Sequence, residues 1–268
     1  MRQCLLMKPR SAINSVRMAR FGSTEYARVA YYLREPRPRQ RRSYVTYIAS
    51  VFELDDAEQS VTFQDECLLP VIDRDRVKVL LLFSNAHPES IANGMFHTAE
   101  TGVANLWGDL ISAGFFSADY GILNDPDALR EVCLSVKYDS PFSLAFGCYW
   151  SFPTFHPKHL RQLFHPDVEP PGFRDTDARL RRIVKEWRPQ AIISFNGEVF
   201  GCLTGTSIRG YTARLREGVL ERSYRCDQVS CRLFQAFPAA WRWDSDAERL
   251  RRQSLKRIAK LLVPGIAG

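Results

Sequence analysis

The residues able to do chemistry gather at the ends of short apolar runs. Val79-Leu80-Leu81-Leu82-Phe83 gives way to Ser84-Asn85-Ala86-His87-Pro88-Glu89-Ser90, so polar and turn-forming side chains follow pure hydrocarbon at once. If the run is a strand, these residues stand at its C-terminal end, where open α/β sheets place their ligand sites. Asn and Pro also shape turns, and the same residues suit a plain reversal of the chain. A second group follows the run Phe142 to Trp150: Ser151 to His159 is dense in aromatics and prolines, and His156, His159 and His165 lie close together. Zinc would want a fourth ligand and fixed geometry; the prolines that break the segment favour loop packing for these histidines. A third group is Asn196-Gly197, after Ala191-Ile192-Ile193-Ser194-Phe195. A helix starting there would offer backbone amides to an anion, and an ordinary strand-to-helix turn fits equally well. The seven cysteines include no CxxC pair. Cys133 with Cys148, or Cys226 with Cys231, could be forced into a metal or iron–sulfur site, but buried free thiols in a reducing compartment are the simpler expectation.

These groups need elements to position them. Val79 to Phe83 reads as a strand buried on both faces, the kind found in parallel sheets. Val103, Leu106, Trp107, Leu110 and Ile111 fall on one helical stripe, and Gly114 suits a left-handed C-cap. Tyr44 to Phe52, rich in β-branched and aromatic residues, suits a strand or a buried segment. Asp125-Pro126-Asp127 marks a helix start leading to Leu129, Val132 and Cys133. Phe142 to Trp150 is a second core strand. Asp175 to Trp187 carries Leu180, Ile183, Val184 and Trp187 on one stripe and ends before Pro189. Ala191 to Phe195 is a third buried strand, and Ser207 to Arg232 is expected as a short, locally basic ribbon. Leu233 to Phe237 is the last strand. A final helix follows Asp244 to Asp246, with Leu250, Ile258, Leu261 and Leu262 inward and Arg249, Arg251, Arg252, Lys256, Arg257 and Lys260 largely outward.

A chain of 268 residues, 45% of them hydrophobic, can bury one sizeable core. No apolar run is long enough to span a bilayer. The net charge of +7 is concentrated: residues 1 to 42 hold eleven Lys and Arg against Glu25 and Glu35, and the remainder is slightly acidic. Residues 1–42 are therefore expected to be a flexible basic arm and 43–268 a single α/β domain. The arm suits a nucleic-acid contact, an Arg-rich organelle-targeting peptide or a solvated tail.

The order of strand, polar loop, Gly94-Met95-Phe96 and aromatic-bearing helix resembles motif 1 of the uracil-DNA glycosylase superfamily, above all its mismatch-specific and thymine-glycosylase-like branches. There the strand delivers an Asn-Pro-Gly loop and then a helix start of Asn-Arg-Phe-Trp type. Here Asn85 and Pro88 flank Ala86-His87, and Ala104-Asn105-Leu106-Trp107 matches the helix start. Phe195 to Phe200 stands where the superfamily has a strand followed by Gly-Lys-x-Ala-Phe. At the place of motif 2, Phe237-Pro238-Ala239 keeps the proline and lacks the histidine and serine. The resemblance covers roughly residues 75 to 262 and is strongest from 79 to 116.

It implies a three-layer α/β/α fold with a mainly parallel four-stranded central sheet, a DNA-binding groove at the strand C-termini, no cofactor and no required metal. Such an enzyme takes a base out of the stack and cleaves its bond to C1′. By this resemblance Asn85 and His87 are the catalytic residues, orienting water or donating to the leaving base. Phe96, Asn105 and Asn196 bind the base. Pro88, Pro238, Trp241 and Arg242 meet DNA, with Trp241 and Arg242 filling the vacated stack or the groove. The partner is DNA carrying uracil or a mismatch, the protein a monomer without membrane contact. The expected location is cytoplasmic, with the nucleoid, if the protein is bacterial, or an organelle or nucleus if the arm is a targeting signal. One rival is a catalytically weak or inactive relative that binds nucleic acid. Another is a hydrolase or nucleotide-handling enzyme of a different family, for which neither a Gly-x-Ser-x-Gly elbow nor a P-loop is present.

Overall fold

The structure, a computed structural model, describes residues 15–35, 43–98, 103–164, 176–206, 211–237 and 245–264. In chain order its elements are β1 (Ser15–Arg20), α1 (Ser23–Arg34), α2 (Ser43–Val51), β2 (Phe52–Asp55), β3 (Ser60–Asp65), β4 (Cys67–Leu68) and β5 (Val77–Asn85). Then come α3 (Pro88–Ala92), α4 (Val103–Ser112), a 3-10 turn (Tyr120–Asn124), α5 (Pro126–Ser135), β6 (Phe142–Trp150), α6 (Pro157–Leu163) and α7 (Thr176–Trp187). The chain continues with β7 (Ala191–Ser194), α8 (Gly197–Thr204), α9 (Tyr211–Glu217), β8 (Leu220–Cys226), β9 (Val229–Gln235) and α10 (Ser245–Leu262).

The main sheet runs β4-β6-β5-β7-β9-β8. Its four inner strands are parallel, with Leu81 opposite both Phe146 and Ile193, and Ile193 opposite Phe234. The expected four-stranded sheet is thus the middle of a six-stranded one, extended by antiparallel β4 and β8 at the two edges. A separate antiparallel sheet, β1-β3-β2, stands beside it.

The apolar run of β5 is explained by burial on both faces. Val79, Leu81 and Phe83 share one core with Phe142, Leu144 and Phe146 of β6, Leu106, Trp107 and Leu110 of α4, and Leu255 and Ile258 of α10. Leu80 and Leu82 point the other way, into a core with Leu180, Ile183, Val184 and Trp187 of α7 and Val199 and Phe200 of α8. Neither face meets water, so no polar alternation is needed. Local signals hold at the helix ends. Gly114 adopts φ +79° after α4, and the Asp125 carboxylate caps α5 by accepting from the amides of Asp127 and Ala128.

Several expectations are corrected. Of the two readings of Tyr44 to Phe52, the strand fails: residues 43–51 form α2, which buries Ile48 and Val51 and packs against α3. Tertiary packing overrides the β-branched composition there. Part of the expected basic arm is folded: among the described residues, Ser15–Arg20 and Ser23–Arg34 form β1 and α1. β1 pairs with β3, and α1 buries Tyr26, Val29, Ala30, Tyr32 and Leu33. Four arginines among the arm's described residues contact the fold: Arg17 bridges Asp65 at 3.1 Å, Arg20 bridges Glu58 at 3.1 Å, Arg34 bridges Asp56 at 2.6 Å, and Arg28 donates to the Leu163 carbonyl at 3.0 Å. Residues 1–14 and 36–42 lie outside the described residues. The expected ribbon opens with a helix, α9, before the β8-β9 hairpin turns at Asp227, φ 51°. In α10, Leu261 is exposed, whereas Arg251, expected to face water, is fully buried. Among the described residues no helix is long and apolar enough to cross a membrane.

Candidate functional site

The C-terminal end of β5 brings Asn85 opposite Trp150 of β6, so the loops leaving these two strands run side by side. The Asn85 amide joins them. Its Nδ2 donates toward Thr154 Oγ1 at 2.9 Å and toward the carbonyls of Thr154 and Ala86, both at 3.0 Å. Thr154 returns the tie, its backbone N–H donating to the Ala86 carbonyl at 3.1 Å. Asn85 Oδ1 accepts from Ser84 Oγ at 3.0 Å, which leaves one of the two acceptor positions of a carbonyl oxygen for another donor. The amide group is therefore held in one orientation, its nitrogen turned into the loops.

His87 follows as the N-cap position of α3, with Pro88 buried at the first helical position. The His87 ring stands edge-on to Phe155, centroids 5.0 Å apart. Its Nδ1 is buried with no hydrogen-bond partner among the described residues. Burial lowers its pKa to about 4, so the imidazole is neutral at pH 7. His97, which sequence reasoning passed over, belongs to the same neighbourhood. It sits at φ 53°, its ring 4.5 Å from that of Phe83. Burial first, then the charges of His87 and Arg251, lower its pKa to about 3. Two neutral imidazoles thus lie near the strand end, able to donate or accept a hydrogen bond without bringing charge.

The other expected residues divide. Phe96 is 3% exposed, packed on Phe83 and Phe146, and its carbonyl accepts from Trp107 Nε1 at 3.3 Å. It is a core residue with no open face. Asn196 caps α8: its Oδ1 accepts from the amides of Glu198 and Val199 at 2.9 and 3.2 Å. Those two amides are already satisfied, as in an ordinary strand-to-helix turn, the other of the two readings of this segment. Asn105 lies in the first turn of α4, and its side chain is outside the described residues, as are Pro238, Trp241, Arg242 and His165. The remaining histidines of the β6 loop are structural. His156 Nδ1 accepts from the Lys158 amide at 3.1 Å, and His159 Nδ1 is hydrogen-bonded to Tyr32 Oη at 3.1 Å. Among the described residues no three metal-ligating side chains stand together.

Thr154 and Phe155 are the site residues that sequence reasoning missed. Their only signal was membership of the loop rich in aromatics and histidines. What makes them partners of Asn85 and His87 is the parallel pairing of β5 with β6. Arg251, whose charge acts on His97, belongs to a second missed group. Asp109 of α4 and Arg251 of α10 are both fully buried, with Arg251 Nε donating to Asp109 Oδ2 at 2.6 Å and Arg252 Nε donating to Oδ1 at 3.1 Å. Burial raises the Asp109 carboxyl's pKa and the two guanidiniums pull it back. No family model matches the chain, and no curated protein matches it either.

Proposed function

We propose that this protein is an N-glycosidase of the uracil-DNA glycosylase kind, hydrolysing the bond between uracil, or another deaminated or mismatched base, and its sugar in DNA. The observation that carries the reading is the pairing of an oriented Asn85 amide with a neutral, partly buried His87 at the C-terminal end of a central parallel strand. Ligands of open α/β sheets bind at such ends. Cores on both faces of the sheet, one formed with α4 and α10 and the other with α7 and α8, support the three-layer arrangement that the resemblance implies.

In the reaction, water adds to C1′ as the base departs with the bonding electrons, and the proton the water gives up ends on the base, leaving a 1′-hydroxyl and the free base. The transition state carries positive charge on the sugar and negative charge on the base. The open acceptor position of Asn85 Oδ1 orients the water. A neutral imidazole at His87 donates to a base oxygen as charge develops there, with no proton to lose first. DNA is the partner, and the base reaches the site by leaving the stack.

A second reading, nucleic-acid binding without chemistry, is favoured by two particulars. Phe96 has no open face for a base, and the Asn85 nitrogen is committed to the loops. Base release from oligonucleotides carrying uracil, hypoxanthine or a G·T mismatch, single- and double-stranded, separates the two. The glycosidase reading expects abasic sites with the wild type and a loss on the order of a hundredfold or more in Asn85→Ala or His87→Ala. No release by the wild type, with salt-sensitive DNA binding retained, leaves the binding reading in its place.

A further inference from the structure

We propose that Tyr32, on the helix that sequence reasoning assigned to a flexible arm, is a positioning residue for the strand-end site: it holds the segment after β6 so that Phe155 lies against His87. Only the kinetic consequence of this rests on the glycosidase reading.

Tyr32 is buried in α1 and its hydroxyl meets that segment twice. It accepts from the Phe155 backbone N–H at 3.4 Å and is hydrogen-bonded to His159 Nδ1 at 3.1 Å, with the two rings edge to face at 5.5 Å. One turn earlier on α1, Arg28 donates to the Leu163 carbonyl at 3.0 Å. The helix therefore grips residue 155 in the loop before α6 and residues 159 and 163 on it. From the other side, Thr154 ties the segment to Asn85 and Ala86, and the Phe155 ring meets His87 at 5.0 Å. Farther along, Arg161 of α6 pairs with Glu198 in the first turn of α8. Because β5 lies between β6 and β7 in the sheet, a segment that leaves β6 and reaches the helix after β7 must pass the end of β5. α1 is its anchor on the β6 side. Removing the phenol oxygen removes its bonds to the Phe155 amide and to His159, and Phe155 is in ring contact with His87.

The test is Tyr32→Phe, which keeps the ring in the core and deletes only the hydroxyl. Tyr26→Phe is the matched control, since Tyr26 lies on the same helix and its hydroxyl donates instead to Asp56 at 2.8 Å. The chain has five histidines, so selective isotope labelling and NMR titration, with His87→Gln for assignment, follow His87 directly. In Tyr32→Phe the His87 midpoint is expected to rise from about 4 toward the ordinary imidazole range, with proton affinity up about tenfold, while Tyr26→Phe leaves it in place. In base release, Tyr32→Phe lowers kcat about three- to tenfold with KM nearly unchanged, as the loss of one hydrogen bond that orients a loop should. An unmoved His87 titration in Tyr32→Phe, or an equal shift in both variants, overturns the proposal. A wild type that releases no base, with the His87 shift still confined to Tyr32→Phe, sustains the positioning role and removes the glycosidase reading.

Discussion

Among the described residues, two places bury carboxylates, and they handle the charge differently. Between α4 and α10, Asp109 is fully buried and shared by Arg251 and Arg252. At the junction of the two sheets, Asp65 has the same arrangement, bridged by Arg17 at 3.1 Å and by buried Arg179, which also reaches the Tyr149 carbonyl at 3.4 Å. Its neighbour Glu66, between β3 and β4, is 4% exposed, and neither carboxyl oxygen has a partner among the described residues. Burial, helped by the negative charge of Asp65, pushes the Glu66 pKa well above the carboxylate range. A buried acid is thus either paired with cations or stays neutral by keeping its proton. The strand-end imidazoles follow the second course in the opposite chemical sense, neutral because they have given theirs up.

The largest effect is expected where the paired cluster is broken. Asp109→Asn keeps the shape and leaves Arg251 buried without its carboxylate, at a cost of about 3–5 kcal/mol in urea denaturation. A loss below about 1 kcal/mol would mean that the joint admits water and that its pairing resembles an exposed bridge. The next effect is a pH dependence from His87 and His97. Their folded pKa values, about 4 and about 3, lie below the 6.5 of a free imidazole. Their contribution is therefore whole above pH ~6.5 and is lost as pH falls toward the folded values, while the unfolded chain takes up protons. For His87 this amounts to at most about 3 kcal/mol. His87→Gln should flatten that acid limb of a stability-against-pH curve, and an unchanged limb would place the titration elsewhere.

The smallest effect separates Glu66 from Asp109 directly. A raised folded pKa gives stability that is whole below the unfolded value and declines as pH rises through the folded one. Glu66→Gln removes that decline, so at neutral pH the variant should match or exceed the wild type, by on the order of 1 kcal/mol. Destabilisation instead would show that the Glu66 carboxyl is ionised and held, like Asp109, by a cation.

Much of the scaffold was legible because its causes are local. Four apolar runs became parallel strands, since hydrocarbon on both faces of a short segment has few other uses. Asp125 and Gly114 marked helix ends because a cap depends on the residue itself and its own backbone. The placement of Asn85 and His87 at a strand end was legible for the same reason. Their partners were not. Thr154 and Phe155 reach Asn85 and His87 only through the register of β5 on β6, and Tyr32 meets His159 across 127 positions of sequence. Arg251 looked like an outward cation because its partner, Asp109, is 142 residues away. Phe96 fell into the core because Phe83 and Phe146 close around it. α1 belongs to the body of the protein because α6 lies where Arg28 and Tyr32 can hold it. Run length, caps and turn chemistry were thus determined by the sequence itself, because neighbours along the chain decide them. Which polar groups are buried, paired or aimed at the strand end was decided by the tertiary structure, because a buried charge or hydrogen bond is settled by whatever the fold brings within about 3 Å of it.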